Sequence, residues 1–359
     1  EMALLEINRE SIQSCPKVVL HDHLDGGLRP ETIIELAADN KYQHLPCQHP
    51  DDLSLWMLNT AKQGNLELYL EAFTHTVGVM QTAEALTRVA KECVEDLHDD
   101  GVIYAELRFA PELFQREGLT LHAIVKAVLD GFELGKVGRA IIPKAILCAM
   151  RSETRSLEIA ELAADFLGEG VVGFDIAGAE IQFPPRLHLE AFKFAKAHNV
   201  PITIHAGEAA GPNLIEEAVD VCGANRIGHG VSIANEVTDG SHGFEMGSIA
   251  EFVVNQKIPL EICPTSNLHT GVVGTISDHP VDMLMRAGFR ITINTDNRLM
   301  SSTSMSNEIW ECHEAFGWTW NEIKNVTEVG VHHSFISQTE KDKLLQEIGS
   351  WYEENTLRN

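Results

Sequence analysis

Eight short runs rich in Val, Ile and Leu recur along the 359-residue chain, and each is followed by a stretch of helical period. They are Lys17–His23, Val102–Ala110, Lys144–Met150, Val171–Ala177, Pro201–Gly207, Arg226–Gly230, Pro259–Pro264 and Arg290–Asp296. Most end at Gly, Pro, His or Asp, as buried parallel strands do. Between them Ala123–Leu134, Ser152–Leu167 and Arg186–Ala197 carry apolar residues along one face and charge elsewhere. Eight strands alternating with helices predict an α/β fold, a (β/α)8 TIM barrel whose active site lies at the C-terminal ends of the strands. A doubly wound open sheet is the alternative, because counting strands does not prove closure.

The interval Leu24–Gly101 is too long for a simple crossover. It holds helical patterns at Pro30–Ala38, Leu53–Lys62, Leu66–Val79 and Ala83–Leu97, which predicts a helical insertion after strand 1, placed either to cover the site or to pad the scaffold. More helix follows Asn297, ending in Glu340–Glu354. Neither a linker nor an internal repeat splits the chain, so residues 1–359 are expected to form one domain.

Composition narrows the partners. Lys and Arg number 27 against 53 Asp and Glu, a formal net charge of −26. Charge of that size repels phosphate backbones and anionic lipid, so neither a nucleic acid nor a membrane surface is an expected partner. A neutral or cationic small molecule suits the field better. Seven cysteines without a C-x-x-C pair disfavour a disulfide framework or a cysteine zinc site and favour a reducing cytoplasm. No apolar stretch reaches about 18 residues, and no signal pattern opens the chain.

Four strand ends carry candidate chemistry. In His21-Asp22-His23 alternation puts Val19, His21, His23 and then Asp25 on one face, where two imidazoles can grip one metal ion. H-x-H alone is weak. In Thr203-Ile204-His205-Ala206-Gly207-Glu208, His205 ends an apolar strand and Gly207 lets the chain turn, which sets Glu208 beside a metal rather than on it. Arg226-Ile227-Gly228-His229-Gly230 leaves a histidine bare on both sides, open to close approach. Asn294-Thr295-Asp296-Asn297 is, alone, ordinary turn chemistry. Taken together, His21, His23, His205 and Asp296 fall at the ends of the first, fifth and eighth strands, which a barrel brings to one mouth. Three imidazoles and a carboxylate with room for water suit a catalytic zinc or a similar divalent ion.

The set His21-Asp22-His23-Leu24-Asp25-Gly26, Val172–Gly178, His205–Glu208, Arg226–Gly230, Cys263-Pro264-Thr265-Ser266-Asn267 and Asn294–Asp296 resembles the adenosine deaminase family in order and spacing over most of the chain. The resemblance implies one zinc ion held by His21, His23, His205 and Asp296, with Glu208 as proton donor. It implies that His229 holds the attacking water and helps deprotonate it. Asp25, with His23 nearby, matches the contact to the ribose 5′-hydroxyl, and Gly178 a backbone contact to the purine. The implied partners are a purine nucleoside and water, and the implied reaction is hydrolytic deamination of adenosine, and of 2′-deoxyadenosine, giving inosine from adenosine, with ammonia, in purine salvage. Two positions depart from the pattern of the vertebrate enzymes. Asn297 stands where a second acid follows the ligand Asp; its NH2 is a donor at any pH and suits purine N7. Ala179 stands where an acid is expected. A deaminase of adenine or another 6-aminopurine, a metal-dependent amidohydrolase and a catalytically dead binding protein are the alternatives. Asp25 argues against the first, since a free base offers it nothing to bind.

Overall fold

The computed structural model describes residues 5–241 and 243–356. Strands β1 (Lys17–His23), β2 (Val102–Phe109), β3 (Ile142–Met150) and β4 (Val171–Ala177) pair in parallel in that order. Strands β5 (Thr203–Ala206), β6 (Arg226–His229), β7 (Pro259–Ile262) and β8 (Arg290–Ile293) form a second parallel set, again with each beside the next. Two seams join the sets. Phe174 meets Ile202 across one, where the Phe174 amide donates to the Pro201 carbonyl at 2.9 Å. Asp22 meets Asp296 across the other, with the His23 amide on the Asp296 carbonyl at 2.7 Å and the Asp296 amide on the His21 carbonyl at 2.9 Å. Eight strands in a closed ring are the expected TIM barrel, and closure removes the open-sheet alternative.

The strand limits shift where the chain leaves the ladder. β5 and β6 stop at Ala206 and His229 because Gly207 (φ 73°) and Gly230 (φ 68°) turn the backbone through the left-handed region. β8 stops at Ile293, so Asp296 lies three residues past the strand rather than at its end. β3 instead starts earlier, at Ile142.

Between β1 and β2 the helices are Pro30–Asp39, Pro50–Ala61, Leu66–Glu71, Phe73–Val79 and Ala83–Asp99. The single pattern expected over Leu66–Val79 is therefore two helices. Ala72 keeps helical dihedrals (φ −60°, ψ −28°), and the second helix starts on a three-residue bond from the His75 amide to the Ala72 carbonyl. Ala83–Asp99, capped by Thr82, is the crossover proper and packs on Leu121–Gly135. That contact needs Gly131, where a Cβ would overlap the Thr87 carbonyl oxygen. The last helices are Met305–Phe316, Trp320–His333 and Gln338–Asn355. The final one begins before Glu340 because Ser337 and Glu340 form a reciprocal capping box. An antiparallel ribbon, Val237–Gly240 with Gly243–Met246, was not expected from the pattern. Among the described residues no helix is long and apolar enough to cross a membrane.

Candidate active site

The barrel gathers the predicted residues at one mouth. His21, His205, His229 and Asp296 each offer a ligand atom within 4.8 Å of the others, and all four are buried. Asp296 Oδ1 lies 3.3 Å from His21 Nε2 and 3.3 Å from His23 Nε2, and His23 Nε2 lies 3.3 Å from His205 Nε2. His229 thus belongs to the tight group as well as standing beside Glu208, with Nε2 3.5 Å from Glu208 Oε2. Two of these residues hold left-handed backbone, His229 at φ 62° and Asp296 at φ 56°. Such a conformation costs on the order of 1–3 kcal/mol where the residue is not glycine, and such outliers cluster at functional sites.

Beneath the mouth lies a buried ionic layer. Glu261 Oε2 accepts from His21 Nδ1 at 2.9 Å and from Arg108 at 2.8 Å. Its Oε1 accepts from Arg226 at 2.6 Å and Thr203 Oγ1 at 2.9 Å. Asp175 Oδ2 takes Arg108 at 2.8 Å and faces His205 Nδ1 at 2.8 Å, off the line of a straight hydrogen bond. Arg226 also pairs with Glu106, which accepts from Tyr104 OH at 2.8 Å. Burial works against ionised Glu261, but Arg108, Arg226 and His21 outweigh it and hold its carboxyl well below the usual range. Each imidazole that turns Nδ1 to a carboxylate presents the lone pair of Nε2 to the mouth. His21 Nε2 finds no hydrogen-bond partner among the described residues. Imidazole nitrogens gathered around a carboxylate oxygen, one of them without a hydrogen-bond partner, fit a bound cation.

Glu208 follows β5 on a tight turn. Gly207 is required there, since a Cβ would overlap Ile215 and Ser232. Burial, then the charges of Asp296 and Glu180, push the Glu208 carboxyl well above its ordinary range, against Arg151. Glu208 Oε1 is buried without a hydrogen-bond partner among the described residues. The turn is held by Glu180, whose Oε1 accepts from the Gly207 amide and whose Oε2 accepts from those of Glu208 (3.1 Å), Ala209 (2.8 Å) and Ala210 (3.2 Å). The acid missing at Ala179 therefore stands one residue later and serves the backbone of the next loop. Arg151 ties the same two loops, donating to the carbonyls of Phe183 (2.7 Å) and His205 (3.0 Å).

A cavity of about 140 Å³ opens on these groups. His23, Asp25, Gly178, Glu208 and Asn297 line its polar side; Leu66, Tyr69, Leu70 and Phe73 of the insertion close it with apolar surface. Asp25 reaches it from the 3-10 turn Leu24–Gly26, not by continuing the alternation of β1, and burial pushes its carboxyl up to about 7. Gly178 turns at φ 115°. Asn297 fits against Gly26, where any Cβ would overlap its amide. A second cavity, about 350 Å³, shares Leu66 and Glu208 with the first and leads outward. Sequence reasoning gave no role to Asp175, Glu261, Arg108 or Glu180. A signal existed for three of them: a charge inside an apolar buried strand must find a partner.

Fold and site together define a TIM-barrel hydrolase with a metal-type cluster of histidine and aspartate at the C-terminal mouth. The adenosine deaminase family model matches residues 16–351, and the chain belongs to that family. An adenosine deaminase of Mycobacterium sp. (strain KMS) is 50% identical over 345 residues, 94% of this chain and 95% of the relative. Among solved structures, an arabidopsis ADAL complexed with IMP is 26% identical with a TM-score of 0.83, covering 97% of this chain and 100% of that one. An adenine deaminase from Arthrobacter aurescens, at 23% identity and a TM-score of 0.83 over 94% of this chain and 99% of its own, shares the fold.

Proposed function

We propose that this chain hydrolyses adenosine to inosine and 2′-deoxyadenosine to 2′-deoxyinosine, each with release of ammonia, in the cytoplasm, as one domain with one zinc ion. The observation that carries the reading is Glu208: a buried carboxyl, pushed well up, with one oxygen unbonded, beside a histidine–aspartate cluster. Attack at C6 breaks the aromaticity of the purine unless N1 gains a proton, and Glu208 is the acid placed to supply it. His21, His23, His205 and Asp296 would hold the cation, with Asp175 and Glu261 fixing the two imidazoles they face. A divalent ion held there supplies a water whose pKa is lowered from 15.7 towards about 7. His229 faces the attacking oxygen. The C6–O bond forms, one proton of the attacking water passes to the amino group and the other restores Glu208, the C6–N bond breaks, and ammonia leaves.

Asp25 sets the substrate class. Its carboxyl can accept from a ribose 5′-hydroxyl and, when ionised, repels a 5′-phosphate. Asn297 offers its NH2 to N7, and Gly178 its backbone to the purine. The free cysteines fit a reducing compartment.

Ultraviolet monitoring of adenosine, adenine and AMP, with and without a chelator, tests the reading. Adenosine turns over, the other two far more slowly, and chelation abolishes activity. Glu208→Gln keeps metal and inosine binding but loses turnover by orders of magnitude. Near-normal turnover of that variant removes Glu208 from its role, and turnover of AMP or adenine above adenosine removes Asp25 from its own.

A further inference from the structure

One chain of hydrogen bonds lies behind His229, and its direction is fixed at its far end by a backbone amide. The Val281 N–H donates to His279 Nδ1 at 3.1 Å; a main-chain amide has no other choice. His279 is buried, which pushes its imidazole down to about 3, so it carries a single proton, and that proton sits on Nε2. His279 Nε2 faces Asn267 Oδ1 at 3.1 Å and donates to it. Asn267 is fully buried within the short helix Pro264–His269, and its oxygen is committed to His279. Its NH2 therefore faces His229 Nδ1, 3.2 Å away, and donates. A flipped Asn267 amide would set donors against donors at the His279 contact.

We infer that Asn267 and His279 are positioning residues which hold His229 as the tautomer protonated on Nε2, so that His229 presents a hydrogen-bond donor, not a base, to the attacking oxygen. The inference rests on the proposed deaminase reading and replaces the deprotonating role that the family resemblance implies for His229. With Nδ1 occupied as an acceptor, a doubly protonated ring has no place either, since its second N–H would oppose the Asn267 donor. The Nε2 proton points into the gap between Glu208 Oε2, at 3.5 Å, and Asp296 Oδ2, at 4.0 Å. A fixed donor there stabilises negative charge developing on oxygen without reorganising during the reaction. Had Asn267 been an acid, it would accept from Nδ1 and leave Nε2 free to take a proton, as in hydrolase triads.

The zinc-loaded protein with 15N-labelled histidine tests this without reference to turnover. The ring signals lost in His229→Gln identify His229, and they must show the Nε2–H neutral tautomer. A Nδ1–H or doubly protonated ring overturns the inference. In Asn267→Asp the donor becomes an acceptor: the tautomer reverses, kcat for adenosine falls at least tenfold, and KM and zinc content stay within about twofold. A kcat kept or raised in that variant shows His229 acting as a base and overturns it. His279→Gln keeps a donor for Asn267 and holds kcat within about threefold, whereas His279→Leu loses tenfold; equal losses overturn the role of His279. Full turnover by Glu208→Gln would sink the deaminase mechanism while leaving the tautomer untouched, so the two failures read separately.

Discussion

Replacing Glu261 by Gln tests whether the ionic layer holds the site in place. The carboxylate takes four donors in two pairs, Arg226 with Thr203 on one oxygen and Arg108 with His21 on the other. Gln keeps one acceptor oxygen and turns an NH2 on the other pair, so either arginine contact is lost and a buried guanidinium is left short of charge. Breaking one side of a buried ion pair costs about 3–5 kcal/mol. Spread over 359 residues, at about 2 cal/mol/K per residue, that lowers Tm by roughly 4–7 °C. If the NH2 falls on the His21 side, His21 also loses the acceptor that sets its tautomer, a change that costs about 10–100-fold in metal affinity. Calorimetry of the metal-free variant reads the first effect and a competitive zinc titration the second. A Tm within about 1 °C of the parent, with zinc affinity within about twofold, refutes the reasoning on both counts.

Three further outcomes follow from particular contacts. Glu180→Gln removes acceptors from the 207–210 turn: the amides of Gly207 to Ala210 exchange hydrogen at least tenfold faster by mass spectrometry, and kcat falls at least tenfold while zinc content holds. Glu308 is buried, and its carboxyl is pushed up to about 7, above its unfolded value of 4.5. The folded state keeps that proton between pH 4.5 and 7, so stability from this group falls by about 3 kcal/mol as pH rises through the window. Glu308→Gln cancels this loss, which thermal melts at pH 5 and pH 8 would show as a smaller drop than the parent's. Gly26→Ala crowds Asn297; KM for adenosine rises at least tenfold, and an unchanged KM removes Asn297 from the purine contact.

The barrel was legible because buried parallel strands must be apolar throughout, and eight such runs leave few ways to hide them. The histidines were legible because they end those runs, where a closed ring makes sequence-distant ends neighbours. The ionic layer was written in the same runs but could not be solved. Arg108 and Glu261 lie 153 residues apart and Arg108 and Asp175 67 apart, so the pairing follows from strand order and register, not from any local pattern. Glu180 was opaque for a different reason: its partners are backbone amides, which every residue carries. Asp25 was placed on the right face by the wrong geometry, because the chain abandons the strand at Leu24.

The Asp22–Asp296 seam carries a consequence for how the fold is held shut. The first strand meets the segment after the last there through two main-chain bonds, while His21 and His23 reach across from one side and Asp296 from the other. An ion gripped by all three would be a rivet through the joint that closes the cylinder. Stripping it would take from that joint a tie that its main-chain bonds do not replace, so loss of chemistry and a loosened ring would share one cause.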